Sequence, residues 1–169
     1  MYFLHLIPLF AVIAYYDWKS RDIPEWAIAL SWLVYGLSFA FFPNDLGMML
    51  IMLIIPIFGI GLFWSLYLII EEIYHRKILP QKLIRKFRYG QADVFILPLM
   101  LSIILQFGIG IGVLWAVATF GWASLWFNDL KPGDIHRKNG IPILTFALIS
   151  MVFCIIMVWI DVSTYLNRI

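Results

Sequence analysis

Six apolar runs, joined by polar stretches too short to fold on their own, leave this chain of 169 residues few architectures. They fall at residues 2–16, 26–42, 47–70, 92–107, 109–127 and 141–160. A mean hydropathy of +0.93, with 63% hydrophobic and 13% charged residues, is far from the usage of soluble domains. The sequence therefore predicts an all-α integral membrane protein, a single polytopic unit over 1–169 with six transmembrane helices. A helix needs about 20 residues to cross ~30 Å of hydrocarbon. The first and fourth runs are short for that, so their polar ends are expected to be drawn partly into the membrane. The N-terminus has no basic n-region and no small-x-small cleavage site before Asp17, and reads as a retained first helix. Between the fourth and fifth runs, Phe107-Gly108-Ile109-Gly110-Ile111-Gly112 reads as a tight turn or a close-packed helix face.

The basic residues give an orientation. Lys19 and Arg21 follow the first run, Arg76, Lys77, Lys82, Arg85, Lys86 and Arg88 the third, and Lys131, Arg137 and Lys138 the fifth. Only Arg168 of the twelve Lys and Arg lies elsewhere. By the positive-inside rule the odd loops face the cytoplasm of a plasma-membrane protein and both termini lie outside. The largest loop, 71–91, is basic. Helical from Pro80, it would gather Leu79, Leu83, Ile84 and Phe87 near one face among its cations. That is the pattern of an amphipathic helix on an anionic lipid bilayer, and equally of a loop that merely sets topology. A net charge of +2 is too small to suggest a nucleic-acid partner.

Ionisable groups at the edge of a membrane segment are costly and point to function. Asp17 follows the first run and Asp93 opens the fourth, on the same side by the charge pattern. Pro24 suits the first turn of the second helix, so the link is short and Asp17 sits at a fixed helix end. Gly90 breaks the basic segment, and small Ala92 permits close approach of another helix. Asp93 falls in the first turn of its helix, where backbone N–H groups favour an anion. Two carboxylates close together in a low-dielectric site cannot both ionise comfortably, so one keeps its proton and the pair titrates in separated steps. The ionised member can activate a water while the protonated one polarises a peptide carbonyl. This is aspartyl protease chemistry, which needs no cofactor and no metal. Cys154 is a lone thiol inside the last run, His5 is expected to be buried far from Asp17, and His75 and His136 lie in separate basic loops. Taken singly, each aspartate is explained as well or better as a helix cap; position, sidedness and flanks favour the pair.

At these residues the chain resembles the archaeal prepilin and preflagellin (archaellin) peptidases of the type IV prepilin peptidase family, and more distantly the presenilin group of membrane aspartyl proteases. Tyr16-Asp17-Trp18-Lys19-Ser20-Arg21-Asp22-Ile23-Pro24-Glu25-Trp26 is similar to the family's first motif, an Asp, a basic pair and then Ile/Val-Pro. Gly90-Gln91-Ala92-Asp93 is similar to the second, Gly-x-Gly-Asp, and Gly140-Ile141-Pro142-Ile143 to a third feature that opens the last helix near the site. The resemblance spans nearly the whole chain. It implies Asp17 and Asp93 as the catalytic pair, with Gly90, Ala92, Ile23, Pro24 and Pro142 shaping the site. It implies removal of a leader peptide from pilin-like or archaellin precursors, at the cytoplasmic face. Such leaders are basic, which makes Asp22, Glu25, Glu71 and Glu72 candidate contacts.

The chain also departs from the family's pattern. Val94-Phe95 stands where many archaeal relatives carry Ala-Lys, and Ala92 adds a Cβ and removes freedom at positive φ. No methyl-donor site is visible, so a peptidase alone is expected. Two other readings stand beside it. A small proton or cation transporter could use the same aspartates, although they lie at one face and no inverted repeat is visible. A catalytically inactive paralogue or scaffold is kept alive by Ala92 and Val94-Phe95.

Overall fold

The structure is a computed structural model that describes residues 4–20, 22–41, 46–80, 90–130 and 141–166. Among these residues there are six α-helices and no strand: α1 (Ile7–Lys19), α2 (Glu25–Phe41), α3 (Leu46–His75), α4 (Gln91–Leu105), α5 (Ile109–Asp129) and α6 (Ile143–Leu166), with a 3-10 turn at Leu4–Leu6 ahead of α1. Three segments, Met52–His75, Ile109–Asp129 and Ile143–Asp161, are long and apolar enough to cross a membrane, which is compatible with a membrane protein. Their outward faces carry side chains as bare as Phe58 and Ile109, 75% and 79% exposed. An apolar surface of that extent is usual where a helix meets lipid and unusual where it meets water.

The shortest helices lie nearest the candidate chemistry. α4 has 15 residues, about 22 Å at 1.5 Å per residue, and ten of them are buried. It packs against α2, α3, α5 and α6 and forms the centre of the bundle. α6 packs against α1, α4 and α5, and so closes the other side.

Two prolines and a glycine set how α2, α3 and α4 meet. Pro56 in α3 has no N–H, so the Met52 carbonyl one turn earlier loses its helical donor. The Tyr35 hydroxyl on α2 replaces it, donating to Met52 O at 2.8 Å. The same hydroxyl lies 2.9 Å from Ser102 Oγ on α4, which is itself 2.8 Å from Leu99 O. One phenol thus joins three helices at the level where the backbone ladder is broken. An orphaned carbonyl in apolar surroundings is costly, and this contact relieves it. Lower down, α3 and α4 touch backbone to ring: a Cβ on Gly59 would stand 2.7 Å from Pro98 Cβ. No other residue fits there without displacing a rigid ring.

The glycine-rich stretch after α4 serves both of its expected uses. Gly108 turns the chain at φ +115, and Gly112 packs on Leu105 at the start of α5.

The helix ends differ from the hydropathy boundaries in two informative places. α1 continues to Lys19, so Asp17 lies within its last turn and not beyond it. α3 continues to His75 and takes Glu71, Glu72 and His75 out of the loop, because Glu71–His75 (3.6 Å) and Glu72–Arg76 pair one helical turn apart. His5 is exposed, contrary to expectation, with Nε2 2.7 Å from Ser38 Oγ at the start of the bundle's far end. The proposed amphipathic face at Leu83, Ile84 and Phe87, the cations of 131–138, and Gly140 lie outside the described residues.

Candidate active site

Asp17 is 2% exposed, and its environment comes from the opposite end of the chain. The first N–H groups of any α-helix have no acceptor within the helix. Thr145 is the third residue of α6, and its N–H donates to Asp17 Oδ2 at 3.2 Å. Its hydroxyl donates to the Ala14 carbonyl at 2.9 Å. These two bonds clasp the last turn of α1 to the first turn of α6, and the carboxylate of one helix caps the other.

Asp93 is 1% exposed and is held locally. It is the third residue of α4; its Oδ2 accepts the Gly90 N–H at 2.6 Å while its own N–H donates to the Gly90 carbonyl at 3.1 Å. This reciprocal closure is a familiar way to start a helix. Gly90 has φ −81, an extended value open to any residue, and Ala92 is already helical. Lys77 is the sole non-glycine at positive φ among the described residues. The concern that Ala92 removes needed freedom at positive φ is thereby overturned: the backbone there asks for none.

Both carboxylates line one cavity of about 570 Å³, together with Asp22 and Ile23 from the α1–α2 link, Glu25 at the start of α2, and Gly90 and Ala92 at the start of α4. That volume lies within the range of small-molecule sites, roughly 300–1,000 Å³. Ala29 of α2 and Phe95 of α4 extend the wall. Pro24 and Pro142 do not line the cavity. Each instead starts a helix, its carbonyl accepting from Ala27 N (2.9 Å) and Phe146 N (3.4 Å) respectively. Glu71 and Glu72 do not line it either, and are engaged with His75 and Arg76.

Aromatic rings gather at this end of the bundle. Trp18 lies 5.1 Å from Trp126, which lies 5.5 Å from Phe146, and on the other side Trp64 lies 6.3 Å from Phe95. Trp and Tyr are enriched where helices cross a membrane–water boundary. At the rim Lys19 donates to Tyr15 Oη at 3.1 Å and sits 5.4 Å above its ring. That hydrogen bond raises the lysine's pKa above its ordinary value.

Thr145 escaped the reading of the sequence, because the group it offers Asp17 is a backbone N–H that carries no residue signature. Phe95 was legible only as a departure from a motif, yet it forms cavity wall. Among the described residues no group of three or more His, Cys, Asp or Glu could hold a metal ion. Compared with protein-family models, with curated proteins and with solved structures, the chain matches none.

Proposed function

We propose that the chain is a membrane-embedded aspartyl endopeptidase that removes the leader peptide of type IV prepilin-like or prearchaellin subunits. In this reading all six helices span the plasma membrane, both termini lie outside, and the cavity opens at the cytoplasmic face. The observation that carries it is the convergence of two buried carboxylates, from α1 and α4, on one cavity of about 570 Å³. The motifs around Asp17 and Asp93, the positive residues on the odd loops and the aromatic rings at the same end support it.

The chemistry follows from a pair that shares one proton. The ionised carboxylate takes a proton from a water in the cavity, and the hydroxide adds to the scissile carbonyl carbon. The protonated carboxyl gives its proton to the carbonyl oxygen as the tetrahedral diol forms. Collapse of the diol breaks the C–N bond: the proton taken from water goes to the leaving amine, and one diol hydroxyl returns its proton to the second carboxylate, leaving a carboxylic acid, an amine and the pair with its one proton. The backbone N–H groups at Thr145 and Gly90 hold each carboxylate at a fixed orientation, which lowers the cost of reaching the reactive geometry.

One observation favours a second reading, a non-catalytic scaffold: each carboxylate accepts a helix-start N–H, which is what a structural cap does. Substitution by Asn separates the two, because Asn caps nearly as well as Asp but cannot cycle a proton. The chain would be co-expressed with a prepilin-type substrate in membranes and the leader followed by gel shift. Cleavage by the parent, lost in Asp17→Asn and in Asp93→Asn while both variants stay folded, is the expected result. Cleavage by both variants at the parent rate would rule out the two-aspartate mechanism.

A further inference from the structure

We infer that Thr145 is the positioning residue for Asp17, its side-chain hydroxyl locking the first turn of α6 so that the N–H beside it is aimed at Oδ2. The inference rests on the peptidase reading for its consequence in cleavage, but its geometry stands on its own.

The argument starts from what each bond does. The N–H to Oδ2 bond is made by the backbone and survives any substitution except proline. At 3.2 Å it is already near the long end for an N–H···O bond. Its length and angle depend on how α6 sits against α1. The hydroxyl bond from Thr145 to Ala14 O spans the same two turns, three residues before Asp17 on α1. The hydroxyl thus fixes the spacing that the shorter-reach carboxylate contact requires. The task rests on the hydroxyl oxygen, which reaches Ala14 O across the two helices. Threonine adds an oxygen that valine, of nearly the same shape, lacks.

The titratable groups that share the cavity with Asp17 are Asp93 on α4, Asp22 in the link and Glu25 on α2, with Lys19 two residues further along α1. None changes in a Thr145 variant, so a change in the behaviour of Asp17 is traceable to the clasp.

The test uses the full chain in membranes with two readouts. The first is cleavage of a prepilin-type substrate, as kcat, KM and the pH profile. The second needs no substrate: labelling of Asp17 by a hydrophobic carbodiimide, which reacts with protonated carboxyls, followed by mass spectrometry across pH. Thr145→Val is expected to lower kcat about tenfold with little change in KM, since a loosened catalytic group costs rate more than binding. It is also expected to move the labelling midpoint up by roughly half a unit to one unit, as a weaker charged hydrogen bond would. Thr145→Ser keeps the hydroxyl and should restore both. Ser31→Ala, which removes another buried hydroxyl bonded to its own helix at Ala27 O, should move neither. A midpoint that stays at the parent value in Thr145→Val, or that Thr145→Ser fails to restore, overturns the inference. A midpoint that moves in membranes where even the parent cleaves nothing upholds the positioning role and removes the peptidase reading.

Discussion

Replacing Tyr35 by Phe deletes one oxygen at the junction of α2, α3 and α4 and leaves the ring's packing in place. The Met52 carbonyl then has neither the residue-56 N–H, which Pro56 lacks, nor the phenol that replaced it. Ser102 keeps its contact with Leu99 O, so a single acceptor is left bare. An unsatisfied buried acceptor costs about 1–3 kcal/mol, while hydrogen bonds inside membrane bundles measure about 0.6 and at most about 1.7 kcal/mol. On that basis Tyr35→Phe should cost on the order of 1–2 kcal/mol, a fall in Tm of roughly 2–8 °C for a chain of this size. The reasoning is sharper than the number, because it names a partner. Pro56→Ala gives Met52 O its helical N–H back. In that background Tyr35→Phe should cost less than half as much, an interaction of at least about 0.5 kcal/mol in a double-mutant cycle. Thermal unfolding of the four proteins in one detergent measures it. Equal losses in both backgrounds would refute the account of why this tyrosine is buried here.

The other predictions concern the site and its supports. Gly59→Ala forces a methyl to within 2.7 Å of the Pro98 ring and should cost about 1–3 kcal/mol, read as a lower Tm; Pro98→Ala should recover part of it. Gly90→Ala meets only Asp93 Oδ2, at 3.6 Å, with an ordinary φ, so the variant should unfold and cleave within about twofold of the parent. Asp22→Asn and Glu25→Gln should raise KM for a basic leader, whereas Glu71→Gln and Glu72→Gln should not, because the latter pair lies off the cavity; cleavage of one leader at graded concentrations separates them.

How far the sequence carried depended on where each signal resides. Six apolar runs correspond to six helices because burial and lipid exposure both demand apolar side chains, and those are written in the residues. Asp17 and Asp93 stood out for a similar reason, as charges at apolar boundaries, and they line one cavity. The end of α3 was harder to read. Glu71 and Glu72 resemble loop until His75 and Arg76 are seen one turn on, where a Glu–His contact and a Glu–Arg ion pair prolong the helix. Thr145 was invisible, since its service to Asp17 comes from an N–H that all residues but proline possess. The Tyr35–Met52 bond needed two facts at once, a carbonyl orphaned by Pro56 and a neighbouring helix able to reach it. Hydropathy records neither.

The backbone-to-ring contact of Gly59 with Pro98 has a consequence for how such a chain can diverge. A side chain at 59 becomes tolerable only after the ring at 98 is gone, and a proline at 98 is tolerable only while 59 stays bare. The two codons are therefore locked in order: relatives that have lost the proline are free to fill position 59, and relatives that keep it are not. The packing of one helix pair would leave a trace as one barred combination, a side chain at 59 together with proline at 98.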